Sequence, residues 1–145
     1  MTNVSFYKLA GNRQMMFSLV CSLIKKAFNQ GKHVLCLVPD DATLETINAK
    51  LWDFERNSFI PHEVGPEYIP IAISKASVPG AHDQILINLH PTVPSFFSQF
   101  DRVIEIIYQD LNYEQAKRQN FRFYKDRGYP LKFHDLSESF TIRPC

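Results

Sequence analysis

Five apolar side chains stand in an unbroken row in His33-Val-Leu-Cys-Leu-Val-Pro39. A strand with one wet face would carry a polar residue at every second position, so this strand must be covered on both faces. Two-sided burial of that kind belongs to parallel sheets, whose crossover helices coat both surfaces. The flanks supply such helices. From Asn12, the residues Met16, Leu19, Val20, Leu23, Ile24 and Ala27 recur at helical spacing, Lys25 and Lys26 face away, and Asn29-Gln30-Gly31 ends the helix. After the strand, Asp40-Asp41 caps a second helix over roughly Ala42 to Phe54, with Asp41 taken as the cap and Leu44, Ile47 and Leu51 on one face. Val4–Leu9 reads as a strand ahead of both. Strand, helix, strand, helix is the grammar of an α/β fold with a parallel sheet.

The later chain continues in the same style. Residues 55–68 carry little regular pattern. Pro70–Ser74, Asp83–Leu89 and Arg102–Tyr108 read as strands, Val78–Ala81 as a turn, and Pro94–Phe100 as one or two helical turns. Asn112–Arg127 has no internal Gly or Pro and reads as a helix stopped by Gly128, followed by a last strand over Leu131–Leu136. The expected architecture is one three-layer α/β/α domain over residues 1–136, its sheet mainly parallel, with 137–145 a frayed tail. At 145 residues, 45% hydrophobic and 21% charged, such a chain can bury one core and is no disordered or coiled-coil protein.

Charge and cysteine usage narrow the function. Sixteen Lys and Arg against fifteen Asp and Glu give +1, which excludes binding to nucleic acid by bulk charge. The balance is uneven, however. Between Leu111 and Tyr129, Lys117, Arg118, Arg122, Lys125 and Arg127 face only Glu114 and Asp126, and an anionic partner should dock there. Cys21, Cys36 and Cys145 show no C-x-x-C spacing, so neither a disulfide framework nor a zinc knuckle is expected, and Cys21 and Cys36 read as small core residues. Met-Thr-Asn-Val-Ser leads into no secretory apolar stretch, and no run is long enough to span a bilayer. A reducing cytoplasm is the expected location, with no membrane contact.

An α/β layout invites an enzyme hypothesis, but the motifs are missing. Gly11, Gly31, Gly65, Gly80 and Gly128 are too far apart for a dinucleotide or P-loop signature, and no G-x-S-x-G elbow occurs. His33, His62, His82, His90 and His134 include no i, i+4 pair to clamp a metal. His82-Asp83 reads as a polar turn. No catalytic residue, cofactor or metal is nominated. A small α/β nucleotide-binding or hydrolase enzyme stays as the rival reading, and direct binding of single-stranded DNA as another.

Two features read as binding surfaces instead. On the basic helix, Arg118, Arg122 and Lys125 form one stripe, and Lys117, Phe121 and Tyr124 form the next. Cations beside aromatic faces suit an acidic peptide or a nucleic-acid strand, and a solvated face with both rings buried is the plain alternative. Leu51-Trp52-Asp-Phe54 with Ser58-Phe59-Ile60-Pro61-His62 groups the one tryptophan with other apolar residues, either as an interface anchor or as a satellite core.

Leu51-Trp52 followed by Ser58-Phe59-Ile60-Pro61-His62 resembles the signature of the chi subunit of bacterial DNA polymerase III holoenzyme. So do Val4-Ser-Phe-Tyr, Gly31-Lys-His-Val-Leu, Asp83-Gln-Ile-Leu-Ile-Asn-Leu89 and the order Arg118, Phe121-Arg122, Tyr124, Gly128-Tyr129, in register from about residue 3 to 136. The resemblance implies a Rossmann-like α/β/α fold without nucleotide binding, in a non-catalytic accessory subunit. It implies a one-to-one pairing with the small psi subunit, which tethers chi to the clamp loader, and binding to the acidic C-terminal tail of single-stranded DNA-binding protein, so that DNA is reached mainly indirectly. The tail surface lies on the late basic helix, here Arg118, Phe121 and Arg122, while one family-typical basic position near its start is Glu114 in this chain. The psi contact uses the region matching Trp52, Phe59, Ile60 and Pro61, and some family members offer that patch to an accessory repair helicase. For such a tail, Arg118 is the expected carboxylate partner, Phe121 and Tyr124 the pocket walls, and Lys117, Arg122 and Lys125 the steering cations.

Overall fold

The structure, a computed structural model, describes residues 2–53, 62–64, 71–75 and 83–136. The elements in chain order are β1 (Asn3–Lys8), α1 (Arg13–Asn29), β2 (Val34–Leu37), α2 (Asp41–Asp53), β3 (His62–Val64), β4 (Ile71–Ser74), β5 (Ile85–Asn88), a 3-10 turn (Phe97–Gln99), β6 (Arg102–Ile107), α3 (Leu111–Asp126) and β7 (Leu131–Asp135). The strands form one sheet in the order β3-β4-β2-β5-β6-β1-β7, and every pairing is parallel.

The unbroken apolar run explains the layering. All four residues of β2 are buried, and they alternate between two cores. Val34 and Cys36 join Ile73, Ile87, Ile104 and Ile106 beneath α1 and α2. Leu35 and Leu37 join Phe6, Leu86, Val103 and Phe100 on the opposite face, beneath α3 and the 3-10 turn. The three-layer α/β reading of the sequence therefore holds. Cys21 and Cys36 are reduced thiols buried in the core, as expected, and burial pushes the Cys36 pKa up to about 12. Among the described residues no helix is long and apolar enough to cross a membrane.

Two sequence expectations change, and others are not reached. Residues 62–64, inside the stretch read as patternless, form β3, which is too short to show any period. The turn over 78–81, His82 and the tail 137–145 lie outside the described residues. The second change concerns the cap of α2. Asp40, not Asp41, fills that role, its Oδ1 accepting the Thr43 N–H at 2.8 Å, while Asp41 pairs with Lys75 at 2.6 Å on the surface.

Hydrogen bonding from Thr43 holds the Asp40 carboxyl below its usual range. A depressed carboxyl pKa stabilises the fold above the unfolded value and loses that contribution as pH falls. Asp40→Ala should therefore cost about 1 kcal/mol at neutral pH, and less below pH ~4. Urea midpoints at neutral and acid pH check this, and an equal penalty at both would mean that the charge plays no part.

Gly128 makes the turn that brings β7 back along α3. Its φ of 76° lies in the left-handed region that glycine reaches freely. Gly128 N–H donates to Lys125 C=O at 3.0 Å and Tyr129 N–H to Tyr124 C=O at 3.1 Å, the paired bonds of a Schellman ending.

Candidate functional site

α3 starts at Asp110, whose Oδ1 accepts the Tyr113 N–H at 3.0 Å. Its inward stripe is Tyr113, Lys117, Asn120 and Tyr124, at the heptad-like spacing of a helix lying on a sheet. Lys117, Asn120 and Tyr124 are all buried. Opposite them β6 presents Glu105, a carboxylate in the middle of the apolar strand Arg102–Ile107 and itself fully buried. Lys117 Nζ donates to Glu105 Oε1 at 2.5 Å, to the His90 carbonyl at 2.6 Å and to the Asn88 carbonyl at 3.0 Å. The other carboxylate oxygen, Oε2, accepts from the Tyr124 hydroxyl at 2.7 Å and from Asn88 Nδ2 at 3.0 Å. All three protons of the ammonium are used. Burial lowers the Lys117 pKa, and the Glu105 charge opposes that shift. Burial, reinforced by the same carboxylate, raises the Tyr124 pKa.

This network corrects two expectations. Lys117 was expected as a steering cation and Tyr124 as a pocket wall, yet both have no exposed surface and cannot touch a ligand. The periodicity already placed Lys117 in one stripe with Phe121 and Tyr124, and its charge argued for solvent. Glu105 was the available signal. A lone carboxylate in a strand covered on both faces must find a buried cation.

The remaining expected residues separate into two groups. Arg118 and Arg122 are exposed, and Phe121 is half-buried. These three line one groove of about 330 Å³ together with Lys8, Ile107, Glu114 and Phe133. Lys125 is exposed on α3 but stands outside that lining. Phe121 packs edge-on against Phe6 at 5.2 Å and against Phe133 at 6.2 Å, so two aromatic rings form an apolar patch under a cationic rim. Phe133 is 50% exposed, unusual for a ring of its size. Sequence reasoning did not select Lys8, Ile107 or Phe133 for this site. They sit on three strands that become neighbours through the order β6-β1-β7.

Of the second surface, Trp52 lies in the last turn of α2, and its side chain is outside the described residues, as are Phe59, Ile60 and Pro61. β3, which follows them in the chain, occupies the sheet edge opposite to β7.

A sheet of this kind conventionally holds nucleotides in the crevice beyond its strands' carboxyl ends, against helix N-termini. Here such a crevice of about 370 Å³ is lined by residues including Arg13, Asp40, Thr43 and Asp110. Among the described residues, each α-helix start is capped by the chain itself. Asn12 Oδ1 accepts from Gln14 N–H and Met15 N–H, Asp40 caps α2, and Asp110 caps α3. Two carboxylates therefore stand where a phosphate would need free amides, and the crevice is poorly matched to a nucleotide.

Comparison with known proteins gives a consistent result. Residues 1–132 match the family described as DNA polymerase III chi subunit, HolC. The DNA polymerase III subunit chi of Pseudomonas aeruginosa is 36% identical over 139 residues, covering 94% of this chain and 98% of that protein. The proteins of the same name from Haemophilus influenzae and Escherichia coli are 26% and 25% identical, each over 90% of this chain and over 95% and 96% of their own lengths.

Proposed function

The chain belongs to the DNA polymerase III chi subunit family, and from that premise we propose that it is a non-catalytic accessory subunit joining the psi subunit to the acidic C-terminal tail of single-stranded DNA-binding protein. One observation carries this reading: the groove between α3 and β7 combines a cationic rim with an aromatic floor. A peptide that ends in an apolar residue needs both at once. The Arg118 guanidinium is a planar fork that can donate two parallel hydrogen bonds to one α-carboxylate. The terminal side chain would lie against Phe121 and Phe133. Arg122 would meet the acidic residues, with Lys125 further along the helix. The same arrangement favours a peptide over bare single-stranded DNA, because with Lys117 buried the helix offers too few cations to track a phosphate backbone.

The psi site is proposed around Trp52, Phe59, Ile60 and Pro61, the surface that would also receive an accessory repair helicase. β3, which follows Pro61 in the chain, forms one edge of the sheet, and the groove lies beside β7 at the other. Six strand spacings separate those edges, roughly 29 Å at about 4.8 Å each. Partners bound at opposite edges can be held at once, as a bridging subunit in the bacterial cytoplasm must do.

Arg118→Ala tests the proposal. It should weaken binding of a synthetic acidic peptide ending in Phe by about 1.5–3 kcal/mol, the range for a hydrogen bond to a charged group. Amidating the peptide's C-terminus should cost a similar amount. Calorimetry reads both, and a variant that binds like the parent protein would remove the groove from this function.

A further inference from the structure

Burial of Lys117 alters the charge pattern that α3 shows to solvent. Its ammonium is matched by Glu105 inside the core. What remains outside is polarised along the helix. The first half presents Asp110 and Glu114 against Arg118, and the second presents Arg122, Lys125 and Arg127 against Asp126. Glu114, Arg118 and Arg122 are successive turns of one face and line the groove in that order. Among the described residues, none of these three side chains is engaged in a hydrogen bond or ion pair. Glu114 is thus a free carboxylate inside a site read as a receptor for carboxylates.

We infer that the polarised side-chain charge of the groove sets the direction in which an acidic peptide lies in it, with its α-carboxylate on Arg118 and its acidic residues running toward Arg122, away from Glu114. The inference rests on the reading of the groove as an acidic-tail site. Lys8 stands at the carboxyl end of β1 beside Ile107, where α3 begins, and so offsets Glu114 at that end. The contrast along the groove is therefore between a neutralised end and a cationic end. An acidic run placed over the first would meet a like charge, and over the second three cations against the single carboxylate of Asp126.

The helix dipole works against this direction, since it favours anions at an N-terminus. Its field is confined to the terminal turns. At the first turn Asp110 already occupies the Tyr113 amide, and in the last turn Lys125 and Arg127 cover the negative end. Side-chain charge decides the direction.

The experiment uses the full chain and two short synthetic peptides that end in Phe, one preceded by a run of Asp and its twin by a run of Asn. Affinities are measured by calorimetry for the parent protein, Glu114→Gln and Arg122→Gln, with circular dichroism confirming the fold of each. For the parent, the Asp peptide should bind about tenfold more tightly than its twin, from a few exposed ion pairs. That ratio should fall to about threefold in Arg122→Gln and stay near tenfold in Glu114→Gln, since roughly one pair is lost only in the former. A ratio that grows in Glu114→Gln and is unchanged in Arg122→Gln would show the peptide running over Glu114 and overturn the inference. Equal affinity of the twins for the parent would overturn it as well. If neither peptide binds the parent at low salt, the tail-site reading itself fails, a result distinct from a reversed direction.

Discussion

Lys117→Ala is expected to remove about 3–5 kcal/mol of folding stability, the cost of leaving one member of a buried ion pair without its partner. The variant strands the Glu105 carboxylate, fully buried on β6, with only the Tyr124 hydroxyl and Asn88 amide as donors. It also leaves the His90 and Asn88 carbonyls without the ammonium that bridges them. Against a total of about 5–15 kcal/mol for an ordinary domain, the loss is large enough to unfold much of the protein at elevated temperature. Urea denaturation in the cold measures it. Removing both charges while keeping an acceptor for Tyr124, as in Lys117→Met with Glu105→Gln, should recover a large part of the loss, because an uncharged buried pair carries no stranded ion. A single-variant loss below about 1 kcal/mol would contradict the network as the clamp of α3. Peptide binding by the double variant should stay near that of the parent, since neither residue reaches the groove.

The network also shows which parts of the molecule the sequence could reveal. β2, α1 and α3 were legible because burial imposes a pattern on consecutive residues: an unbroken apolar run on a strand covered twice, and a period of 3.6 on a helix covered once. Arg118, Phe121 and Arg122 were legible for the same reason, being neighbours on one helix face. Lys117 was on the correct stripe and was misread because its charge was taken as a mark of exposure. What reverses that reading is Glu105, a dozen residues away on another element, and a helical period contains no information about a partner on a strand. Lys8, Ile107 and Phe133 were illegible on stronger grounds. Strand order is set by crossover connections, so nothing local tells that the ends of β1 and β6 and the middle of β7 meet beside α3. Asp40 and Asp41 differ by one residue, and either could cap a helix until the Thr43 amide selects one.

Phe59→Ala is expected to cost about 2 kcal/mol or more of affinity for the psi subunit, the loss when an aromatic anchor is truncated in a desolvated pocket. Acidic-peptide binding should be untouched. Phe59 precedes β3 by three residues in sequence, β3 is one edge strand, and the groove lies on β7 at the other edge. Sites with no shared partners and several strands between them behave additively, so an effect on one should not reach the other. The aromatic group around Trp52 and Phe59 has a competing role as a packed satellite core. In that case Phe59→Ala removes about 3–5 kcal/mol of fold stability, and the thermal midpoint, psi affinity and peptide affinity fall together. Measuring all three on one variant separates the roles. Loss of psi binding at an unchanged midpoint, with the peptide still bound, places Phe59 at an interface, and a joint collapse assigns it to the core and removes it from the psi site.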